Sequence, residues 1–223
     1  GIVLVLGAAI GALAIRYLRA PVRPTPAHLS ISLPPGDIVA RVNLPLAFSP
    51  DGSRLAYVSY RSGGVAQLVL RALDNPEPKL IPGTDGASAP FFSPDGQWIA
   101  FFAQGKLKKV SIAGGAALAI CAAGTNAGAS WGGDDTIVFA PSVSSGLFRV
   151  PAGGGNAEVL TTLNPSKSEI SHRYPQFLPG GKALLFTVMT GMGYDDQHID
   201  LQMLDTGERR TLVRGGHTGR VVP

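Results

Sequence analysis

The sequence is poor in the residues that usually announce chemistry. It has one cysteine, Cys121, in 223 residues, so an intrachain disulfide and a cysteine-based metal site are both excluded. Charge is sparse: 19 basic against 15 acidic residues, a formal net charge of +4. The basic residues are scattered except at Arg16/Arg19/Arg23 and Lys106/Lys108/Lys109, which is too little for a nucleic-acid surface, and none is expected. There is no initiator methionine, and the chain opens inside an apolar run, so it is expected to be a fragment of a longer protein. What is abundant is glycine (29) and proline (18), about a fifth of the chain, which fits many short strands joined by turns.

One unit repeats. Phe92-Ser93-Pro94-Asp95-Gly96-Gln97-Trp98-Ile99-Ala100-Phe101-Phe102 recurs almost verbatim as Phe48-Ser49-Pro50-Asp51-Gly52-Ser53-Arg54-Leu55-Ala56-Tyr57-Val58. Weaker copies run from Trp131 through Gly132-Gly133-Asp134-Asp135 to Phe139, and from Phe177 through Leu178-Pro179-Gly180-Gly181 to Phe186. The leading aromatics fall at 48, 92, 131 and 177, spacings of 44, 39 and 46, a period that marks a β-propeller or a similar array. Ser-Pro-Asp-Gly is a reverse turn: proline presets φ, Asp bonds nearby backbone, and Gly accepts the left-handed region. The apolar run after each turn predicts a strand buried on both faces, and the aromatic before it a wedge between neighbouring blades. The repeat positions Phe48, Pro50, Asp51, Gly52, Phe92, Pro94, Asp95, Gly96, Trp131, Phe177, Pro179 and Gly180 are therefore read as structural, with no catalytic, cofactor or metal role.

Within each unit, strand-like segments at Leu68–Leu73, Leu107–Ile112, Leu147–Val150 and Leu201–Leu204 end in tight turns. Short strands follow at Lys79–Ile81, Ala117–Ile120, Glu158–Leu160 and Arg210–Val213, so each pair predicts the outer hairpin of a blade. Two stretches, Asn164–Pro175 and Thr190–His198, are longer than their counterparts and are read as inserted loops. The fold class expected is all-β, a propeller of four-stranded blades with four repeats over residues 28–223. Arg220-Val221-Val222-Pro223 reads as the start of a fifth repeat, since Pro179 to Pro223 matches the step from Pro50 to Pro94.

Before the repeats, Gly1–Ile15 is apolar throughout, and Arg16, Tyr17 and Arg19 form an interfacial end. Residues 1–19 are expected to be one transmembrane helix truncated at its start, the alternative being a signal-peptide core. Gly7 and Gly11 have helix-dimer spacing, which also arises by chance in an Ala/Gly-rich span. Residues 20–27 form a stiff Pro-rich linker, and Leu29–Leu33 alternates like a strand as far as Pro34-Pro35-Gly36.

The Phe-Ser-Pro-Asp-Gly repeats resemble TolB-like, WD-type propeller repeats of bacteria. Over Gly83–Gly96, Phe101–Val110 and Ser171–Gly181 the chain also resembles the propeller of membrane-anchored, eukaryotic-like bacterial serine/threonine kinases. That resemblance covers essentially the whole chain and implies a kinase domain, one membrane helix and a propeller beyond it, on the extracytoplasmic side. It implies that ATP and magnesium bind in the missing kinase domain, with no cofactor in this fragment. It implies partners too: the membrane through residues 1–19, an unidentified protein or small ligand on the propeller face, and a homodimer. No Gly-rich nucleotide loop with its strand lysine, His-Arg-Asp loop or Asp-Phe-Gly is found, so kinase catalysis would lie upstream of Gly1. Similar propellers follow winged-helix DNA-binding domains and precede α/β-hydrolase domains, which leaves a tethered transcription regulator and a prolyl-oligopeptidase-like peptidase as alternatives. A free periplasmic propeller is a further one. The third and fourth repeats depart from the pattern: Gly133 replaces the turn proline, and Gly181 follows Gly180 with no Asp in the turn, which puts their turn geometry in question.

Four local motifs compete with a structural reading. Gly128-Ala129-Ser130-Trp131-Gly132 matches Gly-x-Ser-x-Gly, but Ser130 falls where the other repeats have Ala47 and Phe91, and the motif needs a strand-turn-helix. Tyr194-Asp195-Asp196-Gln197-His198-Ile199-Asp200 reads as a solvated loop, or else as a calcium or zinc site. His172-Arg173-Tyr174 is read as blade-to-blade hydrogen bonding, or else as a polar cluster near the central channel. Lys106–Lys109 alternates along a strand and is read as a solvated blade face.

Overall fold

The computed structural model describes residues 37–39, 44–61, 64–75, 77–193 and 195–220. The expected membrane helix (1–19), the linker (20–27), the strand at 29–33, Tyr194 and the end of the chain at 221–223 lie outside them. Among the described residues no helix is long and apolar enough to cross a membrane.

The described residues build four antiparallel sheets in chain order. The first holds β1 (Asp37–Val39), β2 (Leu46–Phe48), β3 (Arg54–Arg61), β4 (Gln67–Ala72) and β5 (Lys79–Leu80). The second holds β6 (Ser88–Phe92), β7 (Trp98–Ala103), β8 (Lys106–Ser111) and β9 (Leu118–Ala122). The third holds β10 (Ala129–Trp131), β11 (Thr136–Phe139), β12 (Phe148–Pro151) and β13 (Glu158–Val159). The fourth holds β14 (Ser171–Phe177), β15 (Ala183–Met189), β16 (Gln197–Met203) and β17 (Arg209–Arg214). Strands pair with their sequence neighbours in a meander, the pattern of a propeller blade. In the first sheet β1 and β2 lie on the same edge of β3, against its Ser59–Arg61 and Leu55–Tyr57 stretches, so they form one interrupted innermost strand. The segment Asp37–Val39 was not expected as a strand. At the other end, β16 begins at Gln197, four residues before the expected Leu201, because polar residues occupy it.

Burial follows the blade. The second strands are the most enclosed, with Ile99–Phe102, Ile137–Phe139 and Ala183–Met189 all buried, while the outermost strands are largely exposed. Three apolar clusters lie between successive blades. One joins Val58 and Leu68 to Ile99 and Phe101, the next joins Phe102 and Leu107 to Ile137 and Phe139, and the third joins Val138 and Leu147 to Leu184 and Phe186. Each fully buried Phe, Leu or Ile contributes about 1.5–3 kcal/mol relative to exposure, so most of the core is made between blades, with one further cluster of Ala183, Leu185, Ile199 and Leu201 on the fourth blade itself. Phe92 belongs to the first cluster, Trp131 to the second, and Phe177 packs on the third, as wedges should. Phe48 departs from that role: on the first blade's inner strand it is 52% exposed, against 8% for Phe92 and Trp131.

All four turns close with the same hydrogen bond despite their different sequences. The N–H of Gly52, Gly96, Asp135 and Gly181 donates to the carbonyl of Ser49, Ser93, Gly132 and Leu178, at 2.9, 2.9, 3.2 and 3.0 Å. The donor residue is left-handed each time, with φ of 69°, 68°, 60° and 69°. The departure at Gly133 leaves the turn intact, whereas the fourth turn keeps the closing hydrogen bond and the left-handed fourth position but has Gly180 left-handed as well (φ 87°), a conformation the Asp of the other turns does not take.

Candidate functional site: the turn mouth and a buried polar network

The repeated turns meet at one end of the blades. Pro50, Phe92, Pro94, Trp131, Phe177 and Pro179 line a cavity of about 760 Å³, together with Gly180 and the polar Asp134 and Gln176. Seven of the twelve repeat positions thus face one mouth. Gly132 permits the packing at its wall, since a Cβ there would stand 3.0 Å from the Phe177 ring and 2.7 Å from Asp134 Oδ1.

The remaining turn residues are committed to the turns. Asp51 accepts the Ser49 hydroxyl, and at 3.0 and 2.7 Å the N–H and hydroxyl of Ser53. Asp95 accepts the Ser93 hydroxyl and the Gln97 N–H (3.0 Å). These donors hold both carboxyls below the usual carboxylate range, the serine hydroxyls being the largest cause. Gly52 and Gly96 supply the left-handed residue, and Phe48 lies outside the mouth.

A smaller cleft of about 370 Å³ adjoins the mouth between the second and third blades. Here Lys109 departs from the solvated role expected of it: its ammonium sits 4.7 Å from the Trp98 ring and 5.9 Å from that of Trp131. The Trp131 indole N–H in turn donates to Asp135 Oδ1 at 3.1 Å. Lys108 reaches Gln104 Oε1 at 2.7 Å, and Lys106 is exposed.

On the fourth blade a buried polar network assembles. The Asn164-capped 3₁₀ turn Pro165–Lys167 leads into Glu169. The Glu169 carboxylate accepts from the Asn164 N–H (2.9 Å), His172 Nε2 (3.0 Å) and the Arg209 guanidinium (2.7 and 3.2 Å). His172 Nδ1 lies 2.7 Å from Thr161 Oγ1, which itself accepts the Leu147 N–H at 2.8 Å. Arg209 Nε also donates to Asp200 Oδ2. Thr, His and Glu are thus in the order of a nucleophilic triad, but Thr161 is 6% exposed and His172 is fully buried, so no substrate reaches the hydroxyl. The network instead ties the end of the third blade to the fourth. Burial opposes ionisation of Glu169, yet the Asn164 N–H, Arg209 and His172 outweigh it and hold its pKa below the ordinary value. Burial lowers the His172 pKa.

The other motifs resolve structurally. Arg173 donates to Ser171 Oγ and the Val143 carbonyl, both at 2.8 Å, and the Tyr174 N–H donates to Ala127 O at 2.8 Å, so this triplet bridges blades. Ser130 lies on an innermost strand, not on a strand-turn-helix, and accepts the Phe177 N–H at 3.1 Å. In the inserted loop, Asp196 accepts the Gly193 N–H (3.1 Å), while Asp200 turns to Arg209. The carboxylates diverge, and among the described residues no group of three or more His, Cys, Asp and Glu side chains is placed to hold a metal ion.

Sequence reasoning did not find Glu169, Thr161 and Arg209. Thr161 has a counterpart in Thr84, which accepts the Leu68 N–H at 3.0 Å, and this recurring threonine was the one available signal.

No protein-family model and no curated protein matches the sequence. Among solved structures, a putative TolB from Agrobacterium tumefaciens superposes with a TM-score of 0.66 over 79% of this chain and 67% of its own, at 21% identity. TolB from Acinetobacter baumannii gives 0.64 over 78% of this chain and 44% of its own, at 19% identity. A prolyl endopeptidase gives 0.57 over 81% and 30%, at 16% identity. The chain therefore spans about two thirds of one TolB and under half of the other. Its fold is that of a TolB-like β-propeller.

Proposed function

We propose that this chain is a non-catalytic interaction propeller, the sensor module of a membrane-bound serine/threonine protein kinase. The observation that carries the interaction role is the turn mouth. All four repeats contribute to one aromatic and proline-lined cavity of about 760 Å³, a size and lining suited to binding. The kinase parent rests on the resemblance at Gly83–Gly96, Phe101–Val110 and Ser171–Gly181. In this reading residues 1–19 anchor the propeller to the cell membrane in a single pass, with the propeller outside. A protein or small ligand at the mouth changes the association of the anchoring helices in a homodimer, and the kinase domains phosphorylate each other. Such a ligand acts only through different affinities for the two states. ATP and magnesium belong to the kinase domain, so no cofactor is expected on these residues.

The coding sequence on both sides of this chain tests the parent. Kinase motifs upstream are the expected result. An upstream winged helix overturns the kinase reading and leaves a tethered regulator. A downstream hydrolase domain does the same in favour of a peptidase, the second reading, which the prolyl endopeptidase likeness favours. For the mouth itself, a Gln176→Arg/Asp134→Arg variant is expected to lose partners that photo-crosslink to the parent chain. Unchanged crosslinking would sink the assignment of the mouth.

A further inference from the structure

The turn mouth and the smaller cleft beside it share Pro94, Trp131 and Gly133, so the two adjoin. Their volumes, about 760 and 370 Å³, together exceed the roughly 300–1,000 Å³ of a small-molecule site, which points to a segment of chain as the occupant. The apolar part of the mouth is accessible: Pro50, Pro94 and Pro179 are exposed and Phe177 is half-buried. The charges of the lining are one-sided. Asp134 is the charged residue of the mouth, and the cleft has Asp95, Asp135 and Lys109. Three carboxylates against one ammonium leave a net charge of −2. All three carboxylates are exposed, and among the described residues none of them is in an ion pair.

Gly132 sets a carboxylate beside a ring, since its Cβ would stand 2.7 Å from Asp134 Oδ1 and 3.0 Å from the Phe177 ring. Asp134 takes one hydrogen bond on each oxygen, from the Thr136 N–H and hydroxyl, and Asp135 takes the Trp131 indole on Oδ1. A carboxylate has about four acceptor sites, so both can accept a further donor. The cleft already holds one ammonium. Lys109 pairs with Ala100 across the β7–β8 ladder, which puts it diagonal to Trp98 on one face of the sheet, and its charge rests on the Trp98 and Trp131 rings.

An apolar, aromatic groove with a negative rim complements a segment that carries both an apolar and a cationic side chain. We propose that the mouth and its cleft bind an extended basic segment of a partner protein, with an apolar residue against Pro94, Phe177 and Pro179 and lysine or arginine side chains on Asp134 and Asp135. The proposal rests on the mouth as the interaction site and not on which domain precedes the propeller.

Selection of random dodecapeptides displayed on phage against the full 223-residue chain in detergent tests it. Peptides with lysine or arginine next to aromatic or aliphatic residues are expected, and synthetic copies are expected to bind more weakly as salt rises. Asp134→Asn/Asp135→Asn removes two charges but keeps an acceptor for the Thr136 N–H and for the Trp131 indole, and it weakens binding by at least about fivefold. Lys109→Gln removes a like charge and tightens binding by about twofold or more, which a merely structural role would not do. Weaker binding with Lys109→Gln counts against the proposal. Peptides that Gln176→Arg/Asp134→Arg removes, yet that are acidic or uncharged or indifferent to Asp134→Asn/Asp135→Asn, overturn the basic class and leave the mouth standing. Peptides that neither double variant weakens bind elsewhere and overturn both. A selection that enriches no peptide overturns this proposal alone, since crosslinking tests the mouth.

Discussion

Gly128 and Tyr174 are held backbone against backbone: a Cβ on Gly128 would stand 2.8 Å from Tyr174 Cα and 3.0 Å from its nitrogen. The two occupy the same place in successive repeats, three residues before the aromatic, and both have positive φ (98° and 53°), as does Ala89 (46°) in the repeat before. Each marks a break in an innermost strand, and register shifts there in the second and fourth blades. Gly128→Ala therefore meets both left-handed strain and an immovable backbone. A loss of about 2–4 kcal/mol is expected in urea denaturation. Gly180→Ala is the control, since it has φ 87° but open space around it, and about 1–2 kcal/mol of strain alone is expected. Equal losses would show that the inter-blade contact is not tight.

The wedges give a second prediction. Phe92→Ala and Trp131→Ala empty inter-blade clusters and are expected to cost about 3–5 kcal/mol each. Phe48→Ala, at a half-exposed wedge, is expected to cost about 1 kcal/mol or less in this chain. Denaturant midpoints with unchanged slopes check the contrast, and a loss at Phe48 as large as at Phe92 contradicts it.

The turns were legible in the sequence because their chemistry is local: proline, Asp and Gly act on their own backbone within four residues. Even Asp135 in place of Gly kept the geometry, since Asp tolerates the left-handed region. The strand breaks were not legible, because Ala89, Gly128 and Tyr174 share a backbone conformation and no side-chain property. The network escaped notice for another reason. Glu169 and Arg209 are 40 residues apart and meet only through the register of the fourth sheet. The early start of β16 was hidden by Gln197, His198 and Asp200, polar residues buried or half-buried on a strand, so apolar alternation failed as a guide.

Asp135 separates turn conformation from hydrogen bonding. Asp135→Asn keeps an acceptor for the Trp131 indole and suits φ 60°, so stability within about 0.5 kcal/mol of the parent is expected. Asp135→Ala loses both and is expected to cost about 1–3 kcal/mol. Thermal denaturation of the two variants decides, and an alanine variant as stable as the asparagine one would deny the turn any role for that side chain.

The His172 network makes stability depend on pH. Glu169 is ionised and only accepts, so His172 Nε2 carries the hydrogen, and Nδ1 accepts from the Thr161 hydroxyl, whose oxygen takes the Leu147 N–H. Every polar atom of the ring is satisfied in the neutral form. Burial holds the folded pKa of His172 below the ordinary 6.5, so below that pH the unfolded chain binds more protons than the folded one. Stability therefore falls as pH drops through 6.5 towards the folded pKa of the ring. Glu169, also held below its ordinary 4.5, adds a second loss on further acidification. The melting temperature of the parent chain is expected to decline from pH 7 to pH 5. His172→Gln is expected to melt lower at pH 7, having lost packing in a fully buried site, but to show a flatter slope over that interval. Parallel slopes for the two proteins would mean that the acid sensitivity arises elsewhere.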